Sequence, residues 1–354
     1  MGRWRVVVWV AHLGPSLRAA ATVQPVRRLA IASLLALALT GCGGDPKSDD
    51  ASKGTEDGVQ FGDAIREARS VEAGDLPAAR GRTLQQIAGR LPAIQLGPAT
   101  SIYTPGTNRL AFGMLDQTNT FVYGKTGIYL ARTPDGRALG PFAAPADPLL
   151  VEAPFRSRGA AHPSGEIAAI YNASVDLPRT GKWYVLAVTR SQGKLFGAAS
   201  TIEVTGNDPV PAVGEQPPRV ETETLASAGG DIESIDTRVP PSDMHGTDFR
   251  DVVGKRPVAL LFATPRLCQT RVCGPVVDIA AQMQAQYGDR MEFIHQEVYV
   301  DNDVSKGYRA PLEGFGLRTE PWLFTIDADG RVAARLEGSF GVDEFRDAVE
   351  AALG

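Results

Sequence analysis

The stretch Pro257-Val-Ala-Leu-Leu-Phe-Ala263 is followed by Cys268-Gln-Thr-Arg-Val-Cys273 and then by Gly274-Pro275-Val276. Its first seven residues form a continuous apolar run, which is typical of a β-strand buried on both faces of a sheet. A proline suits the first turn of a helix, because an N–H at that position would have no partner within the helix. The stretch therefore predicts a buried strand, a loop that carries two cysteines, and a helix.

The residues around this stretch continue the alternation of strands and helices. An Asp327-Ala-Asp-Gly330 turn separates two apolar segments, which is a signal for a β-hairpin. We predict helical spacing from Val276 to Tyr287, strands at 291–298, 322–326 and 331–336, and a final helix with apolar residues at Val342, Phe345, Val349 and Leu353. The order predicts an α/β three-layer sandwich over residues 236–354.

This order resembles the thioredoxin superfamily. Residues 254–264 look like the entry strand of extracytoplasmic TlpA and redoxin relatives, and Gly316-Leu-Arg-Thr-Glu-Pro-Trp322 looks like the segment that holds the cis-proline of the family. The resemblance implies that Pro321 holds a substrate chain against the dithiol, with Glu320 beside it in the substrate-binding segment. It covers about a third of the chain.

The cysteines depart from the Cys-Gly-Pro-Cys motif of thioredoxins. Matched on Gly-Pro, Cys273 takes the place of the attacking cysteine, Val276 that of the resolving one, and Cys268 becomes the replacement partner. The positive end of the helix favours a thiolate at Cys273, and Arg266 and Arg271 are expected to lower the cysteine pKa in the same direction. The carboxylate of Glu320 is expected to raise it.

Two other roles for the cysteine pair remain open. The cysteines could form a permanent structural disulfide, or they could bind copper as in the Sco family, which uses a Cys-X-X-X-Cys pair and a distant histidine. The present pair has one residue more between its cysteines. His245 and His295 do not occupy the loop position of the Sco histidine, so we expect neither to be a ligand and predict no metal and no cofactor.

The beginning of the chain carries a secretory signal. Arg27-Arg28 precede an 11-residue apolar run, and Leu39-Thr-Gly-Cys42 resembles the lipobox of bacterial lipoproteins. The resemblance implies that residues 1–41 are removed and that Cys42 is lipidated. Because residues 1–25 precede a complete signal, we expect translation to start further downstream. Residues 42–60 are small, polar and charged, and they predict a flexible tether.

Composition excludes several classes of protein. The formal net charge is −5, and residues 1–41 contain five arginines and no acidic residue, so the processed chain is still more acidic. A nucleic-acid-binding protein would carry a basic surface instead. No apolar run reaches the ~20 residues that span a bilayer. Three cysteines exclude a four-cysteine zinc site.

The middle of the chain divides into three segments. Residues 61–93 have helical spacing, and residues 94–206 contain short runs of β-forming residues separated by turns, which predicts a β-sandwich. Within it, Tyr171–Trp183 resembles the late strands of extracytoplasmic immunoglobulin-like domains. Residues 207–235 are rich in proline, then in small residues, and predict a linker.

These observations together predict a multidomain, lipid-anchored extracytoplasmic protein with an all-β immunoglobulin-like sandwich followed by an α/β thioredoxin-like domain. We expect thiol–disulfide exchange with envelope proteins through Cys268 and Cys273, as a thiol–disulfide oxidoreductase would perform it. The alternatives are a non-catalytic envelope-binding module with a structural disulfide, and a Sco-like copper chaperone.

Overall fold

The computed structural model describes residues 62–161, 167–268 and 272–354. Its first described elements are helix α1 at 62–69 and helix α2 at Leu84–Ala88, with a 3-10 turn at Ala73–Asp75 between them. These helices are shorter than the segment 61–93 predicted from spacing. Leu84 and Ile87 are buried against the second sheet of the sandwich, so packing rather than helix length holds them. None of the described helices has the length and apolar character needed to cross a membrane.

Two antiparallel sheets of four strands follow. The first has the order β1-β2-β6-β5 and the second the order β4-β3-β7-β8. Their strands are β1 Gln95–Pro98, β2 Gly106–Leu115, β3 Lys125–Ala131, β4 Leu139–Ala144, β5 Ala146–Pro148, β6 Ala169–Leu177, β7 Gly181–Ser191 and β8 Lys194–Val204. Residues of both sheets share one apolar core, and the two sheets therefore form a β-sandwich. The resemblance to immunoglobulin-like domains stays a prediction.

Some local predictions for the sandwich were wrong. Phe121–Tyr123 is one of the short runs of β-forming residues for which the sequence predicts a strand, but it forms only a single bridge to β2. Strands β1, β4 and β5 were not predicted, and each contains a proline. All three lie at the edges of their sheets, where a missing N–H can face away from the ladder.

The segment 207–235 is more ordered than a flexible linker. Val210 is buried in an apolar cluster of the C-terminal domain, and Asp208 pairs with Arg335. The backbone N–H of Gly214 donates to Val332 O at 2.8 Å, and that of Val332 donates to Glu215 O at 2.9 Å. The linker therefore runs along this domain as part of it.

The C-terminal domain has one four-stranded sheet with the order β10-β9-β11-β12. Strands β9 and β10 are parallel, and β11 is antiparallel to both β9 and β12. The elements are α3 Phe249–Val252, β9 Val258–Phe262, α4 Cys273–Tyr287, β10 Glu292–Gln296, α5 Ala310–Gly314, β11 Trp322–Ile326, β12 Val332–Glu337 and α6 Val342–Leu353. Separate apolar clusters cover its two faces, with α4 and α6 on one and α3 and α5 on the other. This confirms the predicted three-layer order.

Polar contacts join the sandwich to the C-terminal domain. Asp147 on β5 accepts hydrogen bonds from the backbone N–H groups of Gly341, Asp343 and Glu344 at 3.0, 2.9 and 2.9 Å. A carboxylate in this position caps the N-terminus of α6, where four N–H groups lack helical partners. Arg109 of β2 adds an ion pair to Glu344.

We expect Asp147→Ala to lower the free energy of unfolding by about 2 kcal/mol, because three N–H groups, one buried and two partly buried, lose their acceptor. Chemical denaturation followed by circular dichroism measures the change. Asp176→Ala, at an exposed position of β6, is the control and should change stability by less than ~0.5 kcal/mol. Equal effects of the two substitutions would contradict the capping role.

Candidate functional site

The cysteine pair lies where the sheet passes into a helix. Strand β9 ends at Phe262, Cys268 lies in the following loop, and Cys273 is the first residue of α4. Gly274 and Pro275 occupy the first turn of α4, as the Gly-Pro pair predicted. Arg271, which was expected to tune the thiols, lies outside the described residues.

The two cysteines differ in exposure. Cys273 is fully buried, and Cys268 is half-buried. The segment between β5 and β6, residues 149–161, contributes Val151, Phe155 and Ala161 to the apolar cluster that contains Cys273. We call residues 149–161 the covering segment. A thiol in such a core cannot meet a protein partner without local opening.

The covering segment lies close to the start of α4. A Cβ atom added to Gly274 would lie 2.9 Å from the carbonyl oxygen of Gly159. Contacts below 3.0 Å do not occur for real Cβ atoms, so only glycine allows this approach. Gly274, which belongs to the Gly-Pro motif of the sequence, is therefore also required for the packing of the covering segment on α4.

A buried ion pair anchors the covering segment to α4. Asp278 of α4 accepts from the backbone N–H and the hydroxyl of Ser157 at 3.1 and 3.0 Å. Arg238 donates to Asp278 at 2.9 Å and to the carbonyl oxygen of Phe155 at 2.8 Å. Asp278 is fully buried, and every polar group of the cluster named here has a partner, which is the condition for a stable buried charge.

The electrostatics oppose a reactive thiolate at Cys273. Burial, the contact with Cys268 and the charges of Cys268 and Glu320 raise the pKa of the Cys273 thiol well above its usual value, and a backbone hydrogen bond with Thr264 only partly offsets this. The helix N-terminus was expected to lower this pKa. Desolvation of the charged form exceeds that effect, because the sulfur has no contact with solvent.

Glu320 lies beside the thiols, before a proline in the cis form. The Glu320–Pro321 peptide bond is cis, as the resemblance implied. Glu320 accepts from the Tyr299 hydroxyl at 3.1 Å and from the Cys273 thiol at 3.9 Å. Burial, with the charge of Cys268, raises the pKa of Glu320 to about 8. At neutral pH the side chain is therefore mainly protonated. The sequence led us to expect a permanent negative charge beside the thiols, and the structure corrects this expectation.

Arg266 is exposed, and its backbone N–H donates to the hydroxyl of Thr237 at 3.1 Å. The same hydroxyl donates to the buried carboxylate of Glu297 at 2.7 Å. The loop before Cys268 is thus fixed through its backbone. A tuning role for the Arg266 side chain stays a prediction.

A buried cluster that the sequence did not predict lies in the same domain. Asp236, His245 and His295 are at most 3% exposed, and their ligating atoms lie within 4.8 Å of one another. Asp236 Oδ2 is 3.0 Å from His245 Nε2 and 3.6 Å from His295 Nδ1. The three residues come from separate positions along the chain, so no spacing could have signalled them.

Comparisons with known proteins give the following result. No family model matches the sequence, and the search of curated proteins found no match. A solved structure from Chlorobium tepidum, described as a thiol:disulfide interchange protein DsbE, is 17% identical, covers 40% of this chain and 100% of its own, and has a TM-score of 0.29.

Two further structures are similar over a comparable part of the chain. MTB DsbF is 19% identical over 38% of this chain and 96% of its own, with a TM-score of 0.27. A thioredoxin family thiol:disulfide interchange protein from Chlorobium tepidum TLS is 16% identical over 40% of this chain and 99% of its own, with a TM-score of 0.29. The C-terminal domain is thioredoxin-like in its own strand order and in helix α4, which follows the first strand of the sheet.

The burial difference predicts the order in which the thiols react. In the reduced protein at neutral pH, we expect Cys268 to be alkylated at least about tenfold faster than Cys273, since Cys273 is both desolvated and covered. Mass spectrometry of peptides after timed exposure to iodoacetamide measures both rates in one sample. Faster labelling of Cys273 would contradict the burial argument. It would support the sequence-based assignment, in which Cys273 is the attacking cysteine.

Glu320 predicts a dependence of stability on pH. Its folded-state pKa is raised to about 8, so the folded protein keeps a proton that the unfolded chain releases near pH 4.5. This contribution to stability is complete below about pH 4.5 and decreases as pH rises toward 8. Relative to Glu320→Gln, the wild type should lose on the order of 2 kcal/mol, a reduced figure because the side chain is only partly shielded from solvent.

Denaturant unfolding at several pH values, for the wild type and for Glu320→Gln, tests this difference. Asp147 also has a raised pKa, about 7, chiefly through burial. Its contribution is common to both proteins and cancels in the comparison. A difference between the two proteins that stays constant from pH 5 to pH 8 would show that Glu320 is ionised throughout.

Proposed function

We propose that the C-terminal domain exchanges thiols and disulfides with protein partners outside the cytoplasm. One observation carries the proposal: Cys268 and Cys273 contact each other at the start of α4, beside Glu320 and the cis-proline Pro321. Two thiols in contact can close to a disulfide with little movement of the backbone.

In the first step Cys268 acts as the nucleophile. Its thiolate attacks one sulfur of a partner disulfide, a new bond forms between Cys268 and that sulfur, and the partner's S–S bond breaks. The second partner sulfur leaves as a thiolate and takes a proton from solvent. Cys268 suits this step because it is the less buried member of the pair, in contrast to the initial assignment to Cys273.

In the second step Cys273 releases the partner. The Cys273 thiol passes its proton to Glu320, 3.9 Å from its sulfur, in the fraction of molecules in which this side chain is ionised, the minor form at neutral pH. The Cys273 thiolate then attacks the Cys268 sulfur, the mixed disulfide breaks, and the partner leaves as its second thiolate. The partner has gained two electrons and the Cys268–Cys273 pair has lost two. The reverse sequence oxidises a partner dithiol.

The setting of this reaction is also a proposal. Cys42 lies outside the described residues, and its lipidation would place the protein at a membrane surface outside the cytoplasm. Pro321 would hold the partner chain against the dithiol, with Glu320 at its side. The partners would be envelope proteins that carry thiols or disulfides.

A second candidate is a structural disulfide in a binding module. The full burial of Cys273 under the covering segment favours it, because enclosed disulfides resist reduction. The copper chaperone receives less support. Among the described residues, the histidines that could ligate a metal meet at Asp236, and the group they form contains neither cysteine.

Trapping of partners tests the exchange and the order of the thiols. Cys273→Ser should accumulate mixed disulfides on Cys268, because attack proceeds and release fails. Cys268→Ser should accumulate far fewer, and the double serine variant is the matched control. The measurement is non-reducing electrophoresis of thiol-blocked cell extracts. The absence of adducts in both single variants would contradict exchange and favour the structural disulfide.

A further inference from the structure

We infer that Asp236, His245 and His295 form a binding site for a divalent transition-metal ion of the Zn²⁺ type, separate from the cysteines. Two imidazoles and a carboxylate are ligands that zinc accepts in proteins. The inference is independent of the thiol exchange proposed above. It rests on the distances between the three side chains, on the hydrogen bonds around them and on the balance of buried charge.

The distances fit a metal ion between the ligands. Bonds of ~2.05 Å in a tetrahedral zinc site place ligand atoms about 3.3 Å apart. Asp236 Oδ2 lies 3.0 Å from His245 Nε2 and 3.6 Å from His295 Nδ1, so the observed values lie on either side of that figure. The two histidine nitrogens lie within 4.8 Å of each other, so a bound ion would have to draw the three side chains slightly together.

The hydrogen bonds orient His295 as a ligand. Its Nε2 lies 3.0 Å from the carbonyl oxygen of Ala263 and therefore carries a proton. In the neutral ring, which is the form that binds a metal, the other nitrogen is then the free ligand atom. This leaves a lone pair on Nδ1, which is fully buried, has no hydrogen-bond partner and lies toward Asp236. A nitrogen lone pair and a carboxylate oxygen that face each other at 3.6 Å repel unless a proton or a metal ion lies between them, and the inference is that a metal ion does.

The outer contacts resemble those of a metal ligand set. Asp236 Oδ2 accepts from the backbone N–H and the hydroxyl of Ser242 at 2.7 and 2.8 Å, and Oδ1 accepts from the backbone N–H of Arg238 at 2.8 Å. Carboxylates and histidines that bind metals are held by second partners in this way, and His295 is so held by Ala263, whereas Nδ1 of His245 has no hydrogen-bond partner.

The two buried carboxylates near this site also favour a bound cation. Asp236 and Glu297 are both buried, and Glu297 Oε2 has no hydrogen-bond partner. Within the described part of the chain, no lysine or arginine forms an ion pair with either carboxylate. A divalent ion at His295 would balance both.

The position of the cluster gives the ion a structural role. His295 lies on β10, the edge strand of the sheet, and its backbone N–H donates to Met244 O at 3.0 Å. Asp236 and His245 lie on the segment that packs against that edge. An ion shared by the three side chains would fasten this segment to β10 and add its binding energy to folding.

Metal content of the intact protein tests the site. The chain is unfolded, stripped with a chelator, refolded with or without Zn²⁺, freed of loose ion and analysed by inductively coupled plasma mass spectrometry. We expect about one zinc per chain in the wild type, and a higher melting temperature for the zinc-loaded than for the metal-free protein. The double variant Cys268→Ser/Cys273→Ser should bind zinc equally, and so should the control His162→Ala. His295→Ala and Asp236→Asn should lose the ion.

Cobalt substitution keeps the test decisive if the ligand variants fail to fold. Co²⁺ bound to the wild type at this site should show visible d–d bands of a nitrogen and oxygen ligand set, without the near-ultraviolet band of cobalt–thiolate bonds. Loss of zinc in the double cysteine variant would assign the metal to the thiols and overturn the inference. A folded wild type that retains no ion after refolding with Zn²⁺ would also overturn it, and a protonated His295 paired with Asp236 would then account for the contact.

Discussion

The close packing of the covering segment on the first turn of α4 determines how this site can work. Gly159 approaches Gly274 so closely that no side chain fits between them, and the Arg238–Asp278 pair fixes the segment from inside. Cys273 is buried as a result, although it begins a helix whose dipole would favour its thiolate. Desolvation opposes that effect and leaves Cys268 as the thiol that a partner can meet. A loop of the sandwich thus sets the chemistry of the neighbouring domain.

Burial at the same site also raises the pKa of Glu320. A permanent carboxylate beside two thiols would suppress both thiolates, but its raised pKa keeps most of the side chain neutral near pH 7. Tyr299 holds the carboxyl group through one oxygen, while the other faces the Cys273 thiol. In the proposed exchange, the Glu320 side chain would take up or return a single proton as the thiols change state, and a fixed charge could not do this.

Local signals were sufficient for much of the C-terminal domain. The apolar run before Cys268 became β9, the Gly-Pro pair began α4, and the Glu-Pro segment holds the cis peptide bond. The burial of Cys273 could not be predicted, because its cover comes from Ser157 and its neighbours more than 100 positions earlier. Asp236, His245 and His295 likewise meet only through tertiary folding. Edge strands such as β5 were not predicted, because proline in a short segment is a signal for a turn.

The reduction potential of the Cys268–Cys273 pair tests the central claim most directly. It is obtained by equilibrating the protein in glutathione buffers of known poise and quantifying thiols by mass spectrometry. A pair that exchanges with partners should have a potential between about −270 and −120 mV, the range of known disulfide oxidoreductases. A value below about −300 mV would contradict the account and identify the pair as a structural disulfide.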